Sequence, residues 1–177
     1  MDATSLSITV SIATLVVVAV ASFAAIVQLR HLRASNQLNA LLEIMNQWNI
    51  PVVQSALAEL RTLPHKLNDP DFAEILHSPG PVSRAAHPEF LALDLYEQIG
   101  TFTKHGLIDE NILLDILSAQ IRSAWDFAQG AIAAIRTVRG PSAFENFEYL
   151  AMRAQHWERA HPNGTYPRGL PRVGEGR

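Results

Sequence analysis

Consecutive positions near the start of the chain carry apolar or small uncharged side chains. This stretch, residues 8–29, reads ITVSIATLVVVAVASFAAIVQL, and only Gln28 departs from the pattern. A helix rises about 1.5 Å per residue, so the stretch covers on the order of 30 Å, the thickness of the hydrocarbon core of a bilayer. The pattern predicts a membrane span, and residues 1–35 are expected to form an anchor with its juxtamembrane helix.

Two arginines that follow the span set its expected orientation. Arg30 and Arg33 lie directly behind it, and no lysine or arginine precedes it. By the positive-inside rule the arginine end stays in the cytoplasm, which leaves a short N-terminus outside. A cleaved signal peptide is the alternative, because residues 19–21 (Ala-Val-Ala) have the small-x-small spacing of a cleavage site. The long apolar run and the lack of a basic residue in front of it favour an uncleaved anchor.

The pattern continues beyond the span with helical spacing. No glycine or proline interrupts residues 6–49, which predicts one long helix. Its soluble half carries an apolar stripe with the period of a helix face that packs on other helices. The stripe consists of Leu38, Leu41, Met45, Trp48 and Val52.

A second face of this helix carries small side chains inside the span. Its members are Ser7, Ser11, Thr14, Ala21 and Ala25, with Val18 between them. Small residues allow membrane helices to approach closely, so the face is a candidate contact with a second copy of the chain. The alternative is that alanine and serine are simply common in spans. The expected partners are therefore the lipid bilayer, a homo-oligomer through the span, and an unidentified membrane or cytoplasmic protein.

Prolines divide the region after the long helix. Pro51 lacks an amide hydrogen and is expected to kink or restart the helix. An amphipathic continuation is predicted for residues 52–62, and Pro64 ends it. A short helix follows, with Asn68 or Asp69 as its cap.

An αα-hairpin over residues 88–138 is the most regular unit of the pattern. Gly106 is expected to end the first helix in a left-handed conformation within a Schellman motif, and Asp109 is expected to cap the second helix. Apolar positions recur with helical spacing along both helices. They are Phe90, Leu91, Leu95, Ile99 and Phe102 in the first helix, and Leu113, Leu117, Ile121, Ala124, Ala128, Ala131, Ile135 and Val138 in the second.

A last helix is predicted for residues 142–160, where Ser142 and Glu145 match a capping box. Its apolar face consists of Phe147, Leu150, Ala154 and Trp157. Residues 161–177 are rich in proline, glycine and arginine, which predicts a disordered tail. The expected fold is therefore all-α: a transmembrane helix continues into a cytoplasmic helical bundle, residues 36–160, built around the αα-hairpin.

Charge and composition exclude several classes of function. The net charge is −3, and residues 30–160 carry 11 basic against 15 acidic side chains. Such a surface repels phosphates, so nucleic acid is not an expected partner. The chain has no cysteine, which excludes disulfides, thiolate catalysis and cysteine metal sites. The sequence also lacks the motifs of phosphate loops, nucleophile elbows and dinucleotide-binding turns.

The strongest enzyme pattern is a carboxylate and histidine site inside a helical bundle. Di-iron proteins place glutamates and Glu-x-x-His pairs on facing helices. Glu74 and His77 have this spacing, in a short segment beside a loop. Such a centre needs two complete pairs, and this is the one pair that we identify, so we expect no metal and no cofactor.

A polar cluster around Trp125 is the second candidate site. Its members are Asp94, Glu97, Lys104, Arg122 and Asp126. Charges on the inner faces of helices mark a ligand site in some bundles and form structural ion pairs in others. The pattern favours structural ion pairs.

Several short segments of the domain resemble one known family. They are residues 93–100 (LDLYEQIG), Lys104, residues 106–109 (GLID), Trp125 and residues 147–150 (FEYL). Over residues 48–157 the sequence resembles a family of uncharacterised bacterial proteins with one membrane span and a helical domain of unknown function. The resemblance implies bacterial origin, a single span and a helical domain, and it lends no activity, cofactor or catalytic residue.

The patterns together predict a membrane-anchored helical module with an interaction or regulatory role. Its expected place is the bacterial inner membrane, with the N-terminus outside and the helical domain in the cytoplasm. The alternative is a small-molecule sensor or an enzyme with a polar pocket between the hairpin and the last helix. No catalytic residue is assigned in either case.

Overall fold

The computed structural model describes residues 3–173, without the side chains of residues 3–6, 9 and 10. The described residues form helices and no strand, which confirms the all-α prediction. The helices are α1 (Ala3–Trp48), α2 (Pro51–Leu60), α3 (Leu63–Lys66), α4 (Pro70–Leu76), α5 (Glu89–Lys104), α6 (Glu110–Arg139) and α7 (Glu145–Ala160). The chain divides into two compact units, Met1–Asn39 and Ala40–Arg177.

The first unit consists of the greater part of α1. This helix is uninterrupted, as the absence of glycine and proline predicts. Eleven large apolar side chains between Ile8 and Leu32 are 52% to 70% exposed, while Val27 is partly buried. Among the described residues, α1 is the one helix that is long and apolar enough to cross a membrane.

The second unit has a core shared by several helices. Helix α7 packs against both α5 and α6, and α2 packs against α5. The short helices α3 and α4 contact α6. Although α5 and α6 are neighbours in the sequence, each contacts α7 far more than it contacts the other helix. Helix α7 therefore joins the two helices of the predicted hairpin.

The ends of α4, α5 and α6 have the caps that the local sequence predicts. Asp69 caps α4 by accepting a hydrogen bond from the backbone N–H of Asp71 (3.0 Å). Gly106 has φ 66° and donates to the carbonyl of Thr103, while the N–H of Leu107 donates to the carbonyl of Phe102. These two bonds form the Schellman motif expected at the end of α5. Asp109 caps α6 by accepting from the N–H groups two and three residues later.

The apolar stripe after the span differs from its prediction at three positions. Leu38 and Val52 belong to the predicted stripe but are exposed, at 52% and 57%, and Ile44, which does not belong to it, is buried. Leu41 is buried as predicted. Helix α1 ends at Trp48, and α2 starts afresh at Pro51 with Ile50 in an extended conformation. The change of helix direction at this restart ends the stripe, so Val52 does not extend it.

Most of the apolar positions predicted in α5, α6 and α7 lie in the core. Phe90, Leu95 and Ile99 are buried, and Leu91 and Phe102 pack partly buried against the core. In α6 the predicted positions from Leu113 to Ile135 are buried, but Val138 is 41% exposed. In the tail, residues 161–173 form no helix, and its disorder stays a prediction.

The start of α7 differs from the predicted capping box. The helix begins at Glu145, and its N-cap position is Phe144, whose side chain is apolar and whose backbone is left-handed (φ 56°). Ser142 lies in the preceding turn, where its carbonyl accepts from the N–H of Glu145 (3.3 Å). The prediction that Ser142 caps this helix was therefore wrong, because the chain turns sharply between Gly140 and Glu145 before the helix starts.

Candidate functional site

The structure distributes the five predicted polar residues over three sets of partners. The outermost set is an ion pair between Arg84 and Asp94 (2.7 Å), in which the guanidinium donates to both carboxylate oxygens. Arg84 also donates to the carbonyl of Val82 (2.8 Å) and lies over the ring of Phe90. Asp94 thus fixes the loop in front of α5.

Glu97 binds the start of α7. One carboxylate oxygen accepts from the backbone N–H of Asn146 (3.3 Å) and from its side-chain amide (2.7 Å), and the other accepts from the N–H of Phe147 (2.8 Å). The first N–H groups of a helix have no partner within the helix. Because Phe144 cannot provide a side-chain acceptor, Glu97 caps α7 from a different helix.

Gly100 lies one turn after Glu97, where α5 meets the same part of α7. A Cβ atom at this position would overlap the backbone carbonyl of Asn146. Only glycine therefore allows α5 to approach the first turn of α7 this closely. Glu97 and Gly100 together form the contact between the two helices at this end.

The remaining predicted residues lie in exposed pairs. Lys104 donates to the side-chain oxygen of Asn146 (3.2 Å) and lies 3.6 Å from Glu145. Arg122 pairs with Asp126 in the same helix (3.4 Å) and with Glu158 of α7 (2.7 Å). Exposed ion pairs contribute about 0–1 kcal/mol each, so these pairs add specificity to helix packing more than stability.

Four aromatic rings form a continuous row around the Glu97 contact. The ring of Tyr96 stacks on Phe147 with a centroid distance of 4.7 Å. Trp48 meets the edge of Tyr96 (5.5 Å), and Trp125 meets the edge of Phe147 (5.2 Å). Stacked and edge-to-face pairs are the preferred geometries of aromatic contacts. The row connects α1, α5, α7 and α6.

A second cluster of charges surrounds Glu89, whose side chain is fully buried. Lys66 donates to Glu89 (3.2 Å) and to Glu59 (3.0 Å), and His87 lies 3.3 Å from the buried carboxylate. Burial lowers the pKa of Lys66, but the hydrogen bonds to Glu59 and Glu89 outweigh it and the pKa is raised. Lys66 is therefore held in its charged form, which a buried carboxylate requires.

An open cleft of about 410 Å³ lies beside the aromatic row. Its lining comes from the end of α1, from α2 and its C-cap residue, from Tyr96 of α5, and from α6. The lining residues are Trp48, Gln54, Leu57, Ala58, Leu60, Arg61, Tyr96, Ala119, Gln120, Ser123, Ala124 and Phe127. Small-molecule sites are concave, largely apolar and of this size, with a few polar groups.

Two side chains dominate the electrostatics of the cleft. Tyr96 is only 2% exposed, and burial raises the pKa of its hydroxyl above the ordinary value, while the charge of Arg61 acts in the opposite direction. Within residues 3–173, neither the Arg61 guanidinium nor the Tyr96 hydroxyl has a hydrogen-bond or ion-pair partner. The cleft therefore offers a cation and a neutral hydroxyl donor to a bound molecule.

Comparison with known families gives a match over most of the chain. The pattern of a family described as a domain of unknown function, DUF4760, matches residues 15–154 of the chain. The chain belongs to this family. Comparison with curated proteins and with solved structures finds no match.

The match to DUF4760 confirms the predicted resemblance to a family with a domain of unknown function, and it extends farther towards the N-terminus. It begins at residue 15, inside α1, rather than at Trp48. Residues quoted for the resemblance meet in the structure: Tyr96 and Glu97 contact Phe147, and Gly100 lies against Asn146. In this DUF4760 chain, those segments therefore hold α5 and α7 together.

The cleft of this DUF4760 chain is not the pocket expected from its sequence. The predicted pocket lay between the hairpin and the last helix, whereas none of the residues that line the cleft belongs to α7. Sequence reasoning missed Arg61 as well, because a single arginine at the end of an amphipathic helix has no distinctive spacing. Glu89 was also missed, although the scarcity of lysine makes its partner Lys66 conspicuous.

The carboxylate and histidine pattern does not converge in this DUF4760 chain. His77 is the C-cap of α4, and its ring lies 2.7 Å from the carbonyl of Ala73. The expectation of a single pair was wrong, because Glu158 and His161 have the same spacing, but Glu158 binds Arg122 instead. No group of three or more histidine, aspartate or glutamate side chains positioned for a metal occurs among the residues that the structure describes.

Proposed function

We propose that the chain is a single-pass protein of a bacterial inner membrane. Its N-terminal helix is the anchor, and its cytoplasmic helical domain acts by binding, as an interaction or regulatory module. The bacterial inner membrane enters the proposal through the resemblance. The observation that carries the anchor is the continuous exposed apolar surface of α1. The observation that favours action by binding is the open cleft next to the aromatic row.

The surface of α1 supports the membrane anchor because exposure of so much apolar surface to water is unfavourable. Eleven large apolar side chains, spread from Ile8 to Leu32 over the length of a bilayer core, are more than half exposed. Soluble monomers rarely expose a contiguous apolar patch larger than a few hundred Å². Within a bilayer the same side chains face lipid, and the helix satisfies its own backbone hydrogen bonds.

The two arginines after the span support the orientation. Arg30 and Arg33 lie at the end of the apolar stretch, within the distance over which basic residues determine topology. Their retention in the cytoplasm places the chain that follows, including the Ala40–Arg177 unit, on the same side. This orientation also gives the cleft access to cytoplasmic molecules.

Reporter fusions after Arg177 test the anchor and its orientation. Alkaline phosphatase is active only in the periplasm. Green fluorescent protein fluoresces only if it stays in the cytoplasm, because export in an unfolded form through the general secretion route prevents it from becoming fluorescent. The fluorescent fusion is expected to fluoresce and to stay in the membrane fraction after an alkaline carbonate wash. The phosphatase fusion is expected to be inactive.

The paired variant Arg30→Glu and Arg33→Glu is the matched control, since it alters the charge without shortening the span. Phosphatase activity of its fusion is expected to rise because the retention signal is removed. An active phosphatase on the unaltered chain contradicts the orientation. A mature chain that begins near residue 22, found by N-terminal sequencing, contradicts the anchor and supports the cleaved signal peptide.

The small-residue face of the span stays a prediction of contact with a second copy. The hydroxyl of Ser11 donates to the carbonyl of Ser7 in the same helix (2.9 Å), so this side chain lies along the helix. Disulfide cross-linking of single cysteines tests this contact cleanly because the chain has no cysteine of its own. Cross-linking at Ala21 or Ala25 but not at Phe23 is the expected result for this face.

A further inference from the structure

We propose that the cleft between α2 and α6 binds a small monocarboxylate with an apolar body. The inference rests on the proposed function, because it names the class of ligand through which the domain acts by binding. It is carried by three features of the cleft: an arginine without a protein partner, a tyrosine whose ring is buried while its unpartnered hydroxyl opens into the cleft, and an apolar wall.

The charge of the cleft selects an anion with a single charge. Among the twelve described residues that line it, Arg61 is the one charged side chain. Arg61 forms no ion pair with any residue in the described range 3–173. A guanidinium presents a planar fork of donors that fits both oxygens of a carboxylate. A phosphate dianion would keep an uncompensated charge here, because no second cation lines the cleft.

Tyr96 provides a fixed donor beside Arg61. Its side chain is 2% exposed, and its hydroxyl has no hydrogen-bond partner among residues 3–173 although it reaches the cleft. The hydroxyl oxygen itself is open to the cleft, so it can donate its hydrogen bond to a ligand atom there. Stacking on Phe147 and the edge contact with Trp48 hold the ring in place, so the donor is already oriented.

The rest of the cleft favours an apolar body. Trp48, Leu57 and Phe127 contribute large apolar surfaces to its lining. Gln120 and Ser123 supply neutral polar groups at α6, on the same helix as Phe127. The volume of about 410 Å³ lies at the small end of the range for ligand pockets, so it suits one ring or a short aliphatic chain rather than a lipid.

Binding of 4-phenylbutyrate and of its neutral amide, 4-phenylbutanamide, to the full chain in lipid nanodiscs tests the inference. The two probes share their apolar body and differ in charge. Saturation-transfer NMR and the tryptophan fluorescence of the chain, to which Trp48 in the lining contributes, report binding, and empty nanodiscs correct for partition into lipid. The acid is expected to bind about tenfold more tightly than the amide, because only the acid forms a charge-assisted pair with Arg61.

Variants assign the binding to the cleft. Arg61→Gln is expected to weaken binding of the acid about tenfold and to leave the amide unchanged, while Arg61→Lys gives an intermediate value. Tyr96→Phe is expected to weaken the acid about fivefold. Arg159→Gln is the matched control, since Arg159 is an exposed arginine of α7 outside the cleft. Its binding is expected to equal that of the unaltered chain.

Ser123→Trp places a bulky ring in the cleft from the exposed surface of α6, which leaves the core intact. It is expected to abolish binding of both probes without lowering the melting temperature. The inference is overturned if neither probe binds at millimolar concentration, if acid and amide bind equally, or if Ser123→Trp leaves binding unchanged. These results are independent of the reporter fusions, so loss of the ligand site and loss of the membrane anchor are distinguishable.

Discussion

Gly100 and Gly130 both lie inside long helices, but a methyl group meets different atoms at the two positions. At Gly100 the new Cβ would overlap a backbone carbonyl of α7, which moves only if the helix moves. At Gly130 it would lie 2.8 Å from the Cδ1 atom of Leu67, the end of a flexible side chain. Alanine is favoured over glycine by about 1 kcal/mol in a helix interior. The contact that the new methyl group makes therefore decides whether the substitution raises or lowers the free energy of unfolding.

The pair gives a matched prediction. Gly100→Ala is expected to lower the free energy of unfolding by at least about 2 kcal/mol, because overpacking against backbone exceeds the gain in helix propensity. Gly130→Ala is expected to change it by less than about 1 kcal/mol, because Leu67 can rotate away. Chemical unfolding of the two variants measures both values. Equal values for the two would contradict the close approach of α5 and α7 at Gly100.

The hydroxyl of Tyr96 is expected to limit the folding stability of the domain at alkaline pH. An unfolded tyrosine has a pKa of about 10, and burial raises the pKa of Tyr96 in the folded state. The neutral hydroxyl therefore contributes its full stability below pH 10, and that contribution is lost as the pH rises above this value because the unfolded chain ionises first. Lys66, whose pKa is also raised, adds to the loss in the same range.

Tyr96→Phe separates the two contributions. The melting temperature of the unaltered chain is expected to fall more steeply between about pH 9.5 and 11 than that of the variant, since phenylalanine does not ionise. Lys66 is present in both chains and cancels in the comparison. A difference in melting temperature that stays constant over this range would show that Tyr96 is not buried in its neutral form.

At the scale of the helix, α6 and α7 are capped by the same chemistry from different places. Asp109 accepts from the second and third N–H groups of α6 and is adjacent to it in sequence. Glu97 accepts from the corresponding groups of α7 and lies on α5. Arg136 of α6 also holds the turn before α7, since its guanidinium donates to the carbonyl of Ala143 (2.9 Å).

Removal of the two caps should therefore differ in cost. Asp109→Ala is expected to lower the free energy of unfolding by about 1 kcal/mol, the usual value for an exposed cap. Glu97→Ala is expected to cost about 2–3 kcal/mol, because it also leaves partly buried N–H groups without a partner and detaches α7 from α5. Glu97→Gln retains an acceptor and should lie between. Thermal unfolding compares the three variants, and a smaller loss in Glu97→Ala than in Asp109→Ala would refute the bridging role.

The two caps also show which features of this fold a sequence reveals. Asp69, Gly106 and Asp109 act on neighbours within three residues, so the local pattern contains all the information needed to predict them. Ser142 and Glu145 carry an equally good local pattern, but the turn at Phe144 and the distant Glu97 override it. The cleft was unpredictable for the same reason, since its position depends on α5 and α6 packing mainly on α7 rather than on each other.

At the scale of the whole chain, the unit Ala40–Arg177 contains a core of its own. Leu41 and Ile44, which are buried in it, lie at its beginning. We therefore expect residues 40–177 to fold cooperatively without residues 1–39 and to stay in solution without detergent. Circular dichroism and thermal unfolding of this fragment provide the measurement.

A shorter fragment is the control for this prediction. Residues 50–177 lack Leu41 and Ile44, so the core loses two buried side chains and exposes the surfaces that they cover. This fragment is expected to melt at a clearly lower temperature than residues 40–177. The prediction fails if residues 40–177 aggregate or unfold without a cooperative transition.

The row of four rings has a consequence for how this protein can be observed. Neighbouring rings along this row, Trp48, Tyr96, Phe147 and Trp125, have centroid distances of 4.7 to 5.5 Å, and each ring belongs to a different helix. Neighbouring aromatic chromophores in a fixed asymmetric arrangement absorb left and right circularly polarised light unequally in the near ultraviolet. A shift of any one of the four helices is therefore expected to change the near-ultraviolet circular dichroism of the protein, which needs no attached dye.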